Sequence, residues 1–180
     1  MKWLATVTVL MGLSLVAAGC GSPENVETAH LSLSGVNISY SYPADYELPS
    51  NGLTESTVAY LRFLDQEETS DADRMLFIGS VPATGSAANM LDEDIWAIML
   101  ASRDFLDLAN TTIQVDGYDA SVASFTATMP SSLVSSTTTT WVAYFKREDR
   151  MWQFGVTTTA DLEGAAEADF MVLAESFKFE

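Results

Sequence analysis

Residues 139–146 (TTWVAYFK) and 151–158 (MWQFGVTT) are rich in aromatic and β-branched side chains, and the charged residues Arg147-Glu148-Asp149-Arg150 separate them. Two such runs around a short polar turn predict a β-hairpin. Residues 58–64 (VAYLRFL) and 75–81 (MLFIGSV) predict a second hairpin, joined through an acidic loop over 65–74. Leu31, Leu33, Ile38, Tyr40 and Tyr42 alternate with serines at period two, and Ser34-Gly35 turns between them. Pro43 stops that strand. A chain built on hairpins pairs its strands antiparallel, and their apolar face must be covered by something else.

Helices supply the cover. From the capping residue Ser86 onward, Leu91, Ile95, Ile98, Met99, Ser102 and then Phe105 or Leu106 recur at spacings of three and four, which predicts a helix ending near Asn110. Asp92, Glu93 and Asp94 fall in its N-terminal half and read as charge favoured by the helix dipole. Ile113 and Val115 lead into the tight turn Asp116-Gly117, after which residues 118–129 resume as a strand. The Ser/Thr-rich residues 131–140 read as a loop running into an edge strand. Ala166, Phe170, Leu173 and Phe177 place a last helix over about 161–176. Strands, helix, strands, helix is an α+β order: a central antiparallel β-sheet flanked by helices.

The N-terminus carries an address. Met1 and Lys2 precede an apolar run over residues 3–18 (WLATVTVLMGLSLVAA), the pattern of an export signal. It is shorter than the ~20 residues of a membrane-spanning helix. Ala17-Ala18-Gly19-Cys20 follows directly and resembles a bacterial lipobox. Only a thiol takes the diacylglycerol thioether, and cleavage before Cys20 frees an amine for a further acyl chain. Two or more chains hold a protein stably on a membrane. The expected organisation is a signal peptide over 1–19, a lipidated Cys20 with a polar tether over 20–30, and a single domain over 31–180, placed outside the cytoplasm on a bacterial membrane. About 150 residues bury enough surface to need no covalent staple.

Charge and residue counts exclude several function classes. Eight Lys and Arg stand against 25 Asp and Glu, for a net charge of -17. Such a chain has no surface for neutralising nucleic-acid phosphates and no polybasic patch for anionic lipids. One Cys makes no internal disulfide, and one His makes neither a common zinc site nor a Ser-His-Asp triad. The nucleophile, zinc-protease and phosphate-loop signatures are missing.

Several segments in order resemble the PsbP/Mog1-like superfamily. Residues 35–46 (GVNISYSYPADY) are similar to its opening strand, which ends in Tyr-Pro followed by an aromatic; many members carry Trp where this chain has Tyr46. The middle helix and the Gly turn of residues 113–120 match in position, and residues 173–179 (LAESFKF) are similar to the closing helix and tail. The resemblance implies a Mog1/PsbP-like α/β/α sandwich and a binding or assembly role, with no shared catalytic residues. The expected function is therefore a non-enzymatic, lipid-anchored extracytoplasmic module that binds a protein or envelope component and needs no cofactor.

The alternative expectation is a divalent-cation or small-ligand binder. Asp65, Glu67, Glu68, Asp71 and Asp73 form an oxygen-rich loop, but it lacks EF-hand spacing and reads as a solvated hairpin tip. Trp96, Trp141, Tyr144, Trp152 and Phe154 either line an apolar pocket or pack the core, and core packing is the expectation. His30, beside the tether, reads as an exposed bystander.

Overall fold

The computed structural model describes residues 25–44, 46, 58–62, 74–130, 136–159 and 162–180. The signal segment, Cys20 and the acidic loop over 65–73 lie outside the described residues. The order is β1 (Val26–Leu33), β2 (Val36–Pro43), β3 (Val58–Arg62), β4 (Arg74–Pro82), α1 (Ala87–Ala101), β5 (Asp104–Val115), β6 (Tyr118–Met129), β7 (Ser136–Arg147), β8 (Arg150–Thr159), α2 (Glu163–Ser176) and β9 (Lys178–Phe179). All three predicted hairpins of the large sheet form, with β3 antiparallel to β4, β5 to β6 and β7 to β8.

The strands make two antiparallel sheets rather than one. Six run in the order β3-β4-β8-β7-β6-β5, and the opening hairpin forms a separate three-stranded sheet, β1-β2-β9. The chain's last strand closes that small sheet by setting Ile38 opposite Phe179 and Ser39 opposite Lys178. Beyond β9, α2 takes over the edge: the Ser41 N–H donates to Ser176 Oγ at 2.7 Å.

Alternation sorts the large sheet's side chains onto two cores. Ala143 and Phe145 of β7 and Trp152, Phe154 and Val156 of β8 pack with Phe170 and Leu173 of α2 and with Ile38 and Tyr40 of the small sheet. Phe154 lies 5.6 Å from Phe170 and 5.5 Å from Phe177, ring centre to ring centre. The opposite face, with Ala123, Phe125, Val142, Tyr144 and Met151, packs under Leu91 and Ile95 of α1. Trp141, Trp152 and Phe154 thus belong to the α2-side core, as the core-packing expectation had it.

Three boundaries differ from the sequence expectations. Residues 26–30, assigned to the tether, are strand: β1 pairs with β2 from Val26 opposite Pro43 onward, so backbone pairing begins where side chains are still exposed. The helix stops at Ala101, not near Asn110. Ser102 caps it with its N–H on Ile98 O, and the Arg103 N–H already donates to Thr128 O across the sheet. Residues 104–110 are strand, with a bulge between Leu106 and Ala109. The Thr-rich stretch from Ser136 opens β7, which is a central strand and not an edge. Its threonines pair across the ladder, Thr139 with Thr126 at 3.1 Å and Thr140 with Thr157 at 3.0 Å. Among the described residues, no helix is long and apolar enough to cross a membrane.

Candidate functional site

α1 is positioned by its ends. Ser86 accepts the Asn89 N–H at 3.2 Å, as its place in the sequence predicted. The first turn holds no acidic residue, so Asp92, Glu93 and Asp94 do not serve the dipole as expected; they fall in later turns. Asp94 instead accepts a hydrogen bond from the Tyr144 hydroxyl on β7.

One helix does not cover the whole α1-side face. Between α1, β4 and β7 it leaves an open groove of about 210 Å³. Phe77, Ile95, Ile98, Phe125 and Val142 make its walls apolar, and the Asp94–Tyr144 pair and Thr140 supply its polar groups. Burial holds the Tyr144 phenol neutral well above its ordinary range, and the hydrogen bond to Asp94 and that carboxylate's charge add to the shift. On the opposite core, burial and then the neighbouring Tyr42 push Tyr40 up to about 12. Both tyrosines are neutral in the fold and ionise near 10 when unfolded, so their stabilisation is intact below pH 10 and is lost as pH rises above it. Each should cost up to about 1.4 kcal/mol per pH unit in that window. Urea titrations between pH 9 and 12 (roughly, spanning the free tyrosine value) should show this fall, and Tyr144→Phe should flatten it.

Phe77 reaches the groove because its neighbour in register is Gly155. A Cβ on Gly155 would stand 2.4 Å from Trp141 O and 2.5 Å from the Phe77 ring. Gly155→Ala should displace the Phe77 ring and destabilise the domain by about 1–3 kcal/mol. Chemical denaturation measures the loss, and fluorescence of a hydrophobic dye reports whether the groove has changed shape. Glycine inside a strand marks a close approach of this kind, so Gly155 in MWQFGVTT was the available sequence signal, but only the strand register shows that the approaching side chain is Phe77.

The five aromatics singled out from the sequence do not converge. Only Tyr144 lines the groove, and Trp96 on α1 is 58% exposed. His30 is exposed, with Nδ1 2.7 Å from Glu180 Oε1 at the rim of the small sheet. Among the described residues, no three His, Cys, Asp or Glu side chains gather to hold a metal.

No protein-family model matches the sequence, and no curated protein matches it either. Similarity appears in solved structures. Cyanobacterial PsbP from Synechocystis sp. PCC 6803 superposes with a TM-score of 0.59 at 13% identity, over 91% of this chain and 99% of that one. LpqN of Mycobacterium tuberculosis, described as involved in cell envelope biogenesis, superposes with a TM-score of 0.57 at 10% identity, over 86% of this chain and 91% of that one. The fold is PsbP-like, as the sequence resemblance implied.

Proposed function

We propose that this chain is a non-enzymatic extracytoplasmic binding or assembly module, held on a bacterial membrane by acyl chains on Cys20, that receives a protein or envelope component in the groove beside α1. The observation that carries the reading is the groove itself, an apolar cleft of about 210 Å³ with one carboxylate–phenol pair in its wall. Apolar walls with a few placed polar groups are the usual make-up of a recognition site. The PsbP-like α/β/α layering and the envelope role of LpqN support the same class. The lipobox-like Ala17-Ala18-Gly19-Cys20 supports the anchor. Tethering confines the domain to a surface and raises its effective concentration there. The net charge of -17 steers basic partners toward it.

Two measurements test this. Intact mass of the membrane-extracted protein should show a chain starting at Cys20 with added acyl mass, and Cys20→Ala should abolish both; a chain without acyl mass overturns the anchor. A photo-crosslinking residue at position 97, on the groove rim, should yield one discrete adduct in native membranes, lost in Ile98→Lys. A spread of adducts unchanged by Ile98→Lys overturns the groove as the docking site. A second reading, a small apolar ligand, rests on the groove's volume and is distinguished by an adduct of low mass.

A further inference from the structure

Beyond the groove, the opposite flank of α1 meets the sheet's open edge. β5 ends the six-stranded order, and among the described residues β6 is its one ladder partner. Past the bulge it pairs without interruption from Ala109 opposite Ser124 to Val115 opposite Tyr118. That stretch (ANTTIQV) holds no charge, no proline and no lysine, the residues that ordinarily block an edge. Between this edge and α1 lies a second cavity of about 280 Å³, lined by Leu91, Asp92, Asn110, Thr111 and Thr112 among others. Asp92 is its charged residue and is exposed. Trp96, 58% exposed, stands one helical turn further along the same side of α1.

We propose that residues 109–115 accept an extended segment of a partner protein as a seventh strand, and that an arginine or lysine of that segment enters the cavity to meet Asp92. The inference deepens the binding-module reading and rests on it. Strand addition supplies main-chain hydrogen bonds, and a side-chain pocket beside the edge supplies choice. Charge complementarity names the occupant. Asp92 and Glu93 on α1, and Asp104, Asp107 and Asp116 around the edge strand, surround an uncharged ladder. A second copy would set these carboxylates against their like, whereas a basic segment meets mostly opposite charge, with Arg103 the one cation beside the strand's start and Asp116 already accepting the Phe179 N–H. The indole of Trp96 favours a guanidinium, which stacks on aromatic faces.

The test uses the full-length chain in detergent and labelled peptides of alternating threonine and valine, with arginine, valine or glutamate at the centre. The arginine peptide should bind about tenfold tighter than the glutamate peptide, the value of one charge-assisted hydrogen bond. Asp92→Asn should erase that preference while leaving the circular dichroism spectrum unchanged. The arginine peptide N-methylated at alternate residues, which presents no ladder donors, should not bind. Equal binding of the three peptides, a preference that survives Asp92→Asn, or undiminished binding of the N-methylated peptide each overturns the proposal. So does a chain that sediments as a dimer and binds no peptide, which assigns the edge to a second copy. The adduct at position 97 reads the groove independently. In the parent chain, an adduct beside failed arginine-peptide binding sinks the strand docking alone, and no adduct beside successful peptide binding sinks the groove alone.

Discussion

Asp169→Ala is expected to destabilise the domain by about 3–5 kcal/mol, the range for breaking a buried ion pair from one side. Asp169 is 2% exposed on α2. Its Oδ2 accepts from Tyr46 Oη at 2.7 Å and from Arg74 Nη1 at 3.0 Å. The guanidinium also lies over the Tyr46 ring, 5.5 Å from its centre. One carboxylate oxygen therefore joins α2, the first residue of β4 and the segment that follows β2. Removing it takes one acceptor from the part-buried Arg74 guanidinium and from the Tyr46 hydroxyl and opens a void beside both. Asp169→Asn keeps an acceptor for Tyr46 and should cost less. The triple change Tyr46→Phe, Arg74→Met and Asp169→Leu should recover most of the loss, since replacing a whole buried pair by apolar groups is often neutral or better. Urea denaturation of the single and triple variants measures both. A triple variant no more stable than Asp169→Ala would show that the polar contacts themselves, and not the cost of keeping charge in the interior, decide the loss.

What the sequence made legible was local. β7 and β8 announce themselves because their apolar runs and charged turn sit within twenty or so residues, about the span of a single hairpin. β5 was misread because its bulge at Leu106 to Ala109 breaks the period of two. With Phe105, Leu106 and Leu108 out of alternation, the run continues the three-and-four spacing of α1. The opening hairpin of the small sheet was read from its period of two, but its closure by β9 was illegible for a different reason. Its closing contact pairs Ile38 with Phe179, residues with most of the chain between them. No local pattern encodes such a contact. The α2-side core was readable from Phe170, Leu173 and Phe177 at helical spacing, and all three are buried. The groove was readable only in its parts. Ile95 and Ile98 were placed on the helix's apolar face, but how much of the sheet that helix leaves bare depends on the sheet's width. The β5 edge followed from strand order, which hairpin signals alone do not determine.

Phe154→Ala should be the most damaging single apolar change, at about 3–5 kcal/mol, or some 10 °C in melting temperature for a domain of this size. Phe154 is fully buried at the centre of β8. Its ring lies 6.1 Å from Phe145 edge-on, 5.6 Å from Phe170 and 5.5 Å from Phe177, where the two rings stack. These partners come from β7, from α2 and from the residue that ends α2, so one deletion leaves a void where three elements meet. The backbone of β8 is held on both sides by β4 and β7, which limits how far the sheet can close the gap. Phe154→Leu keeps most of the volume and should cost less than half as much. Trp96→Ala, on the exposed side of α1, should change stability by no more than about 0.5 kcal/mol. The two substitutions thus separate folding from recognition. Below its melting temperature, Phe154→Ala should still bind the arginine peptide, because its side chain faces the core opposite α1. Trp96→Ala should melt as the parent does and bind that peptide more weakly. If Phe154→Ala lost peptide binding while remaining folded by circular dichroism, the two faces of the sheet would be coupled, and the α1 side would not act as an independent recognition surface.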